Sequence, residues 1–138
     1  MDDAKRELVG AWLAKARNDL IAATELGALP DGPLDSAIYH CQQAAEKSVK
    51  GFLAYQDHRL ERSHDVERLV ELAAAYDARF AAWEDAAITL TPYATAYRYP
   101  GEAATLEPGR AEFDEALRLA ADIVKFVCSL LPPEVQPS

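Results

Sequence analysis

The chain has 138 residues, half of them apolar. That is enough for one domain burying roughly 70% of the surface its unfolded form exposes, and too apolar for a disordered chain. Its formal net charge of −9, from 23 acidic against 14 basic side chains, excludes a general nucleic-acid coat, which needs clustered Lys and Arg to release counterions. A local basic site and a basic partner remain compatible with it.

Leu8, Val9, Trp12, Leu13, Ala16, Leu20 and Ile21 recur at helical spacing and predict a first helix over about residues 3–27, with Gly27 at its C-terminal end. Asp31-Gly32-Pro33 is turn chemistry, and Pro33 suits the first turn of a second helix that reaches Tyr55 or Gln56. On that helix Ala37, Cys41, Ala44, Ser48 and Gly51 fall on one narrow stripe, with Ile38, Ala45, Val49 and Phe52 beside it. Such a seam lets another helix backbone approach closely, which would offset the roughly 1 kcal/mol that Gly51 costs in helix propensity. The opposite arc carries Tyr39, His40, Gln43, Glu46, Lys47 and Lys50. Periodicity reads this arc as a solvated face, with Glu46 and Lys50 as an i,i+4 pair.

Residues 57–62 form a polar connector. Ser63 is expected to cap a third helix with Asp65 in its first turn, where the dipole favours an anion. Val66, Leu69, Val70 and Ala73 form its apolar stripe. Trp83, Ala87, Leu90, Ala94 and Tyr97 make the core seam of a fourth helix, which Pro92 interrupts. Either Thr91 caps a new helix there or the helix continues with a kink, and the kinked continuation is expected. Two Pro and two Gly between Tyr99 and Gly109 predict a loop. A last helix turns Phe113, Ala116, Leu117, Ala120, Val124 and Val127 inward, and the Pro-rich residues 132–138 read as a frayed tail. There is no internal repeat and no strand pattern. The expected fold is all-α: an antiparallel up-and-down bundle of four long helices plus a shorter one, forming a single domain over residues 1–131.

Cys41 and Cys128 both sit in apolar helical context, as free thiols of a reducing compartment do, and no Cys/His cluster has zinc-ligand spacing. Neither a metal nor a cofactor is expected. The segment from Met1 to Arg6 lacks the apolar core of a signal peptide. Ile123 to Leu131 is too short to span a bilayer and contains Lys125. A soluble, cytoplasmic protein without a membrane partner is expected.

The run His40-Cys41-Gln42-Gln43-Ala44-Ala45-Glu46-Lys47-Ser48-Val49-Lys50, with Ser63-His64-Asp65 downstream and Tyr93-Ala94-Thr95-Ala96-Tyr97-Arg98-Tyr99-Pro100 further on, resembles the bacterial HEPN family. These are small helical domains shared by higher eukaryotes and prokaryotes and first linked to nucleotide binding. The resemblance extends from Trp12-Leu13-Ala14-Lys15-Ala16 to the last helix before Leu131. It implies a homodimer. It also implies a partner, because many such proteins are encoded beside a minimal nucleotidyltransferase that they bind as a toxin–antitoxin or substrate-binding pair.

Some HEPN proteins are metal-independent RNases in which an Arg and a His, separated by four to six residues, face their counterparts across a dimer. The His then serves as general acid or base and the Arg stabilises phosphate charge. Arg59-Leu60-Glu61-Arg62-Ser63-His64 matches that pattern, but before the third helix rather than near a late one. The toxin subgroup continues His-x-Tyr, with the Tyr modified by the partner, whereas this chain has Val66 there. His64 is also explained as part of a helix start, and His40 and His58 as surface residues. Arg98-Tyr99-Pro100 ends the fourth helix, and Tyr93, Tyr97 and Tyr99 cluster around the guanidinium. That cluster is either a platform for a base and a phosphate or the aromatic edge of a core. Gly-rich phosphate loops are absent.

A nucleotide site would therefore use Lys47, His64 and Arg98 for phosphate and tyrosines for the base. Gln43, Glu46, Lys47 and Lys50 on the polar arc would face a partner or a second copy. The favoured expectation is a nucleotide-associated binding module paired with a small nucleotidyltransferase. The alternatives are a metal-independent RNase using Arg59 and His64, and a structural dimer without a ligand.

Overall fold

Asp2 opens the first helix by accepting the backbone N–H of Lys5 at 2.8 Å, which satisfies one of the free amides that every helix start exposes. In the computed structural model, residues 1–100 and 107–137 are described, and among them every regular element is helical. The α-helices are α1 (Asp3–Ala28), α2 (Leu34–Tyr55), α3 (Val66–Ala74), α4 (Glu84–Leu90) and α5 (Arg110–Ser129). Short 3-10 helices occupy Ala78–Trp83, Thr91–Ala94 and Pro133–Val135. The fold is all-α as expected, but with three long helices and two short ones instead of four long and one shorter.

The difference lies in the expected fourth helix. It breaks into a 3-10 helix, α4, and a second 3-10 helix that contains Pro92. Leu90 keeps helical backbone angles, and the Thr91 hydroxyl donates to the Ala87 carbonyl at 2.7 Å, so the chain continues through Pro92 without a fresh cap. The tighter winding moves the inward register by one residue. Ala87 and Leu90 are buried as the seam predicts, but Tyr93 follows them into the core while Ala94 stays half-exposed.

α1 and α2 form an antiparallel hairpin: Gly51 of α2 lies beside Trp12 and Leu13 of α1, and Lys47 lies beside Asp19. The small-residue seam acts as expected. A Cβ on Gly51 would stand 3.2 Å from the Trp12 Cβ and 3.3 Å from Leu13 Cδ2. Gly27 sits inside α1, one residue before its end, and its role is clearance: a Cβ there would collide with the Phe113 ring of α5. Asp65, not Ser63, caps α3 by accepting the Arg68 amide at 3.1 Å; Ser63 Oγ accepts the Asp65 amide one step earlier. On α5, Ile123 joins the inward face and Leu117 is only half-buried.

In the segment read as a frayed tail, Pro133–Val135 form a 3-10 helix that packs on the end of α5. Val135 is buried, and the Gln136 carboxamide donates to the carbonyls of Cys128 and Leu131 at 2.8 and 3.1 Å, satisfying carbonyls that the end of α5 leaves free. In the predicted loop, 107–109 lead without helix into α5; 101–106 lie outside the described residues. Cys41 and Cys128 are free thiols, and burial pushes Cys41 up to about 12. Among the described residues no helix is long and apolar enough to cross a membrane.

Candidate functional site

The polar arc of α2 is not a solvated face. Glu46 is 3% exposed, Lys50 7% and Gln43 9%, because α1 and the connector before α3 fold over them. Burial of a carboxylate requires compensation, and Glu46 has it from four donors. Lys50 Nζ reaches Oε2 at 3.0 Å. Oε1 accepts from Gln42 Nε2 at 3.1 Å, from Gln43 Nε2 at 3.4 Å, and from His64 Nδ1 at 3.0 Å. An ionised carboxylate can only accept, so His64 Nδ1 carries the proton and its other nitrogen is the acceptor in the neutral ring. Gln42 also donates to the His64 backbone carbonyl at 2.9 Å, which ties the connector to α2. The expected Glu46–Lys50 pair is therefore present, but as part of a buried network.

One turn away, Asp19 of α1 holds two side chains of α2. Its Oδ1 lies 2.8 Å from His40 Nδ1 and its Oδ2 2.8 Å from Lys47 Nζ. Lys47 is therefore already paired. His40, expected on the surface, is only 30% exposed and lines a polar cavity of about 270 Å³ with Asp35, Ser36, Tyr39 and Arg98. The Arg98 guanidinium lies 4.0 Å from the centroid of Tyr39 and 5.4 Å from that of Tyr99, and it donates back to the Ala94 carbonyl at 3.1 Å. Cation–π contact of this kind leaves the edge of the guanidinium available for an anion.

Tyr93 and Tyr97 belong to a different group. Their rings stack at 6.3 Å and both hydroxyls donate to the Glu112 carboxylate, Tyr93 at 2.7 Å and Tyr97 at 3.1 Å. Burial, followed by the hydrogen bond to Glu112 and its charge, pushes both phenols above their usual value, so they act as donors. Tyr97 has a φ of 68°, the left-handed region that costs a non-glycine residue roughly 1–2 kcal/mol, and the Glu112 bond offsets that strain. Arg59 stands on the surface of the connector. Among the described residues no hydrogen bond or ion pair joins it to His64.

The expected set Lys47, His64, Tyr93 and Arg98 thus separates. Lys47 and Arg98 meet the same neighbourhood through His40; His64 belongs to Glu46, and Tyr93 to Glu112. Three contributors were missed in the sequence: Asp19, Gln42 and Glu112. Asp19 carried a readable signal, since it interrupts the stripe Val9, Leu13, Ala16, Ala23, Gly27 that α1 buries. Among the described residues no group of three or more His, Cys, Asp or Glu is placed to hold a metal ion.

Residues 9–131 match the HEPN domain family. An archaeal HEPN homologue of known crystal structure is 26% identical, with a TM-score of 0.71 over 88% of this chain and 96% of its own. A protein from Thermus thermophilus, also known from its crystal structure, is 28% identical, with a TM-score of 0.71 over 89% of this chain and 98% of its own. No curated protein matches by comparison of the chains.

Proposed function

The chain belongs to the HEPN family, and from that premise we propose that it is a nucleotide-associated binding module, the helical partner of a small nucleotidyltransferase in a toxin–antitoxin-like pair. One observation carries this reading: Arg98 lies over Tyr39 at the mouth of an open polar cavity, with His40 and Ser36 beside it. The guanidinium supplies donors for a phosphate, and Asp19 holds the His40 ring in the cavity wall. Tyr39 and Tyr99 supply aromatic faces for a base. The buried network around Glu46 then serves to hold the connector, and the expected partner contacts of Gln43, Glu46 and Lys50 pass to the exposed rim formed by Arg98 and Tyr99. A homodimer is part of the same reading.

Calorimetric titration with mononucleotides and their di- and triphosphates, with and without the co-expressed nucleotidyltransferase, tests it. Saturable binding that weakens about tenfold in Arg98→Ala, the loss of one charge-assisted contact, is the expected result. Absence of binding in both settings, or binding indifferent to Arg98, overturns it.

A second reading keeps one geometric support. His64 is 71% exposed while the carboxylate that grips its Nδ1 is buried, an arrangement that orients an imidazole for proton transfer. An RNase site would need Arg59 or a second copy's arginine brought to that ring.

A further inference from the structure

A second cavity, of about 450 Å³, lies away from Arg98. It opens between the first turns of α1, the last turns of α2 and residues 57–61. Leu8, Trp12, Leu53 and Leu60 give it an apolar lining, and Leu8 and Leu60 are each more than half exposed, at 52% and 58%. The Lys50 ammonium, 3.0 Å from Glu46, also lies 5.6 Å from the Trp12 ring centroid. A mainly apolar cleft of this size with a few polar groups has the form of a small-ligand site.

The charges around it sort themselves by pairing. Asp57 takes Lys5 at 3.1 Å, and Asp2 is engaged by the first turn of α1. Glu61 lies 3.7 Å from Arg68 Nε and 4.0 Å from His58. Arg59 is exposed and, among the described residues, has no ion pair or hydrogen bond. One guanidinium is thus left uncompensated beside an apolar cleft.

The cleft is also preformed. The Asp57 and His58 amides donate to the carbonyls of Ala54 and Leu53, each at 3.0 Å, and His58 Nδ1 lies 2.7 Å from the Tyr76 hydroxyl. At the far end of the connector, Gln42 and Glu46 hold His64. A wall fixed at both ends costs little further ordering when a ligand arrives.

We propose that this cleft binds a small amphipathic anion: a flat apolar body that packs against Trp12, Leu8 and Leu60, carrying a single carboxylate that Arg59 receives. Trp12 suits a planar ring and Arg59 a carboxylate taken in bidentate fashion. A polyphosphate fits poorly, because the lining is mainly apolar and leaves one guanidinium unpaired among the described residues. The proposal therefore stands apart from the Arg98 site.

The test is a titration of the full chain followed by proton–nitrogen correlation spectra, with naphthylacetate as probe and its uncharged amide as control. Trp12 and Trp83 report separately, because Trp83 packs on Phe126 and does not line the cleft. The expected result is a saturable shift of the Trp12 indole with naphthylacetate, with Trp83 still. The amide, and naphthylacetate on Arg59→Gln, should each bind about tenfold more weakly. Arg59 is exposed, so the variant should keep the native spectrum elsewhere. The proposal is overturned by an unsaturable shift, by equal affinity for acid and amide, or by indifference to Arg59→Gln. It is also overturned if Trp12 shifts with protein concentration alone, since a second copy would then cover the cleft.

Discussion

His64 Nδ1 lies 3.0 Å from Glu46 Oε1, with the ring 71% exposed and the carboxylate side chain 4% exposed. With the bond from Gln42 to the His64 carbonyl, this contact joins a solvent-facing connector to the interior of α2. Because Gln42, Gln43 and Lys50 use the same carboxylate, removing it leaves the Lys50 ammonium without its acceptor, while Gln42 keeps the His64 carbonyl and Gln43 keeps Gln42 Oε1. Breaking a buried pair by deleting one partner costs about 3–5 kcal/mol. Glu46→Ala should lose stability of that order in urea unfolding, Glu46→Gln distinctly less. Glu46→Ala combined with Lys50→Ala should recover part of the loss, because the orphaned charge is gone. An additive double variant would show that the two side chains are not coupled.

Close packing around two glycines predicts different outcomes for the same substitution. At Gly27 an added Cβ meets the Phe113 ring, which is itself locked in the core, so Gly27→Ala should cost about 1–3 kcal/mol as overpacking does. At Gly51 the nearest atoms stand at 3.2 and 3.3 Å and yield by a small shift. The helix-propensity gain of roughly 1 kcal/mol then nearly cancels the crowding. Thermal unfolding of the two variants should place Gly27→Ala well below wild type and Gly51→Ala close to it.

These glycines and the buried carboxylate also mark how far the sequence could be read. α1, α2 and α5 are long, strongly periodic and cleanly terminated, so their extents follow from spacing alone. The stretch from Ala78 to Ala94 did not, because 3-10 winding has a different period and shifts Tyr93 inward in place of Ala94. The arc of α2 misled for another reason. A polar face covered by a connector and a polar face covered by water have the same periodicity, and only the fold distinguishes them. Asp19 was legible in principle, as a lone carboxylate on an otherwise apolar stripe. The pairing of Tyr93 and Tyr97 with Glu112 was not, because it joins residues across a loop whose path spacing does not determine.

Tyr93 and Glu112 give a pH prediction. Burial and the neighbouring carboxylate raise the folded phenol above its unfolded value of about 10. A group with a raised folded value contributes stability that is complete below the unfolded value and is lost as pH rises through the folded one. Unfolding free energy should therefore fall as pH climbs above about 10. Glu112→Gln should bring Tyr93 into titration at lower pH, seen as earlier phenolate absorbance. Unchanged phenolate titration in Glu112→Gln would show that burial alone sets the shift.

Arg59 and His64 decide between the two functional readings. Within one chain the Glu46 bond uses only His64 Nδ1, and no hydrogen bond or ion pair among the described residues brings Arg59 to that ring, so nothing holds the two on one phosphate. Total RNA incubated with the purified protein in EDTA should therefore remain intact, and the Arg59→Ala and His64→Ala variants should behave the same. Metal-free cleavage by the wild type that either variant abolishes would place His64, oriented by Glu46, in a composite site completed by a second copy. The buried network would then be the support of a catalytic histidine instead of a brace for the connector. The two roles separate in Glu46→Gln, which keeps a hydrogen-bond acceptor but no charge. A brace tolerates that change, whereas a histidine that must carry a proton in the transition state loses the stabilisation of its imidazolium and should cleave far more slowly.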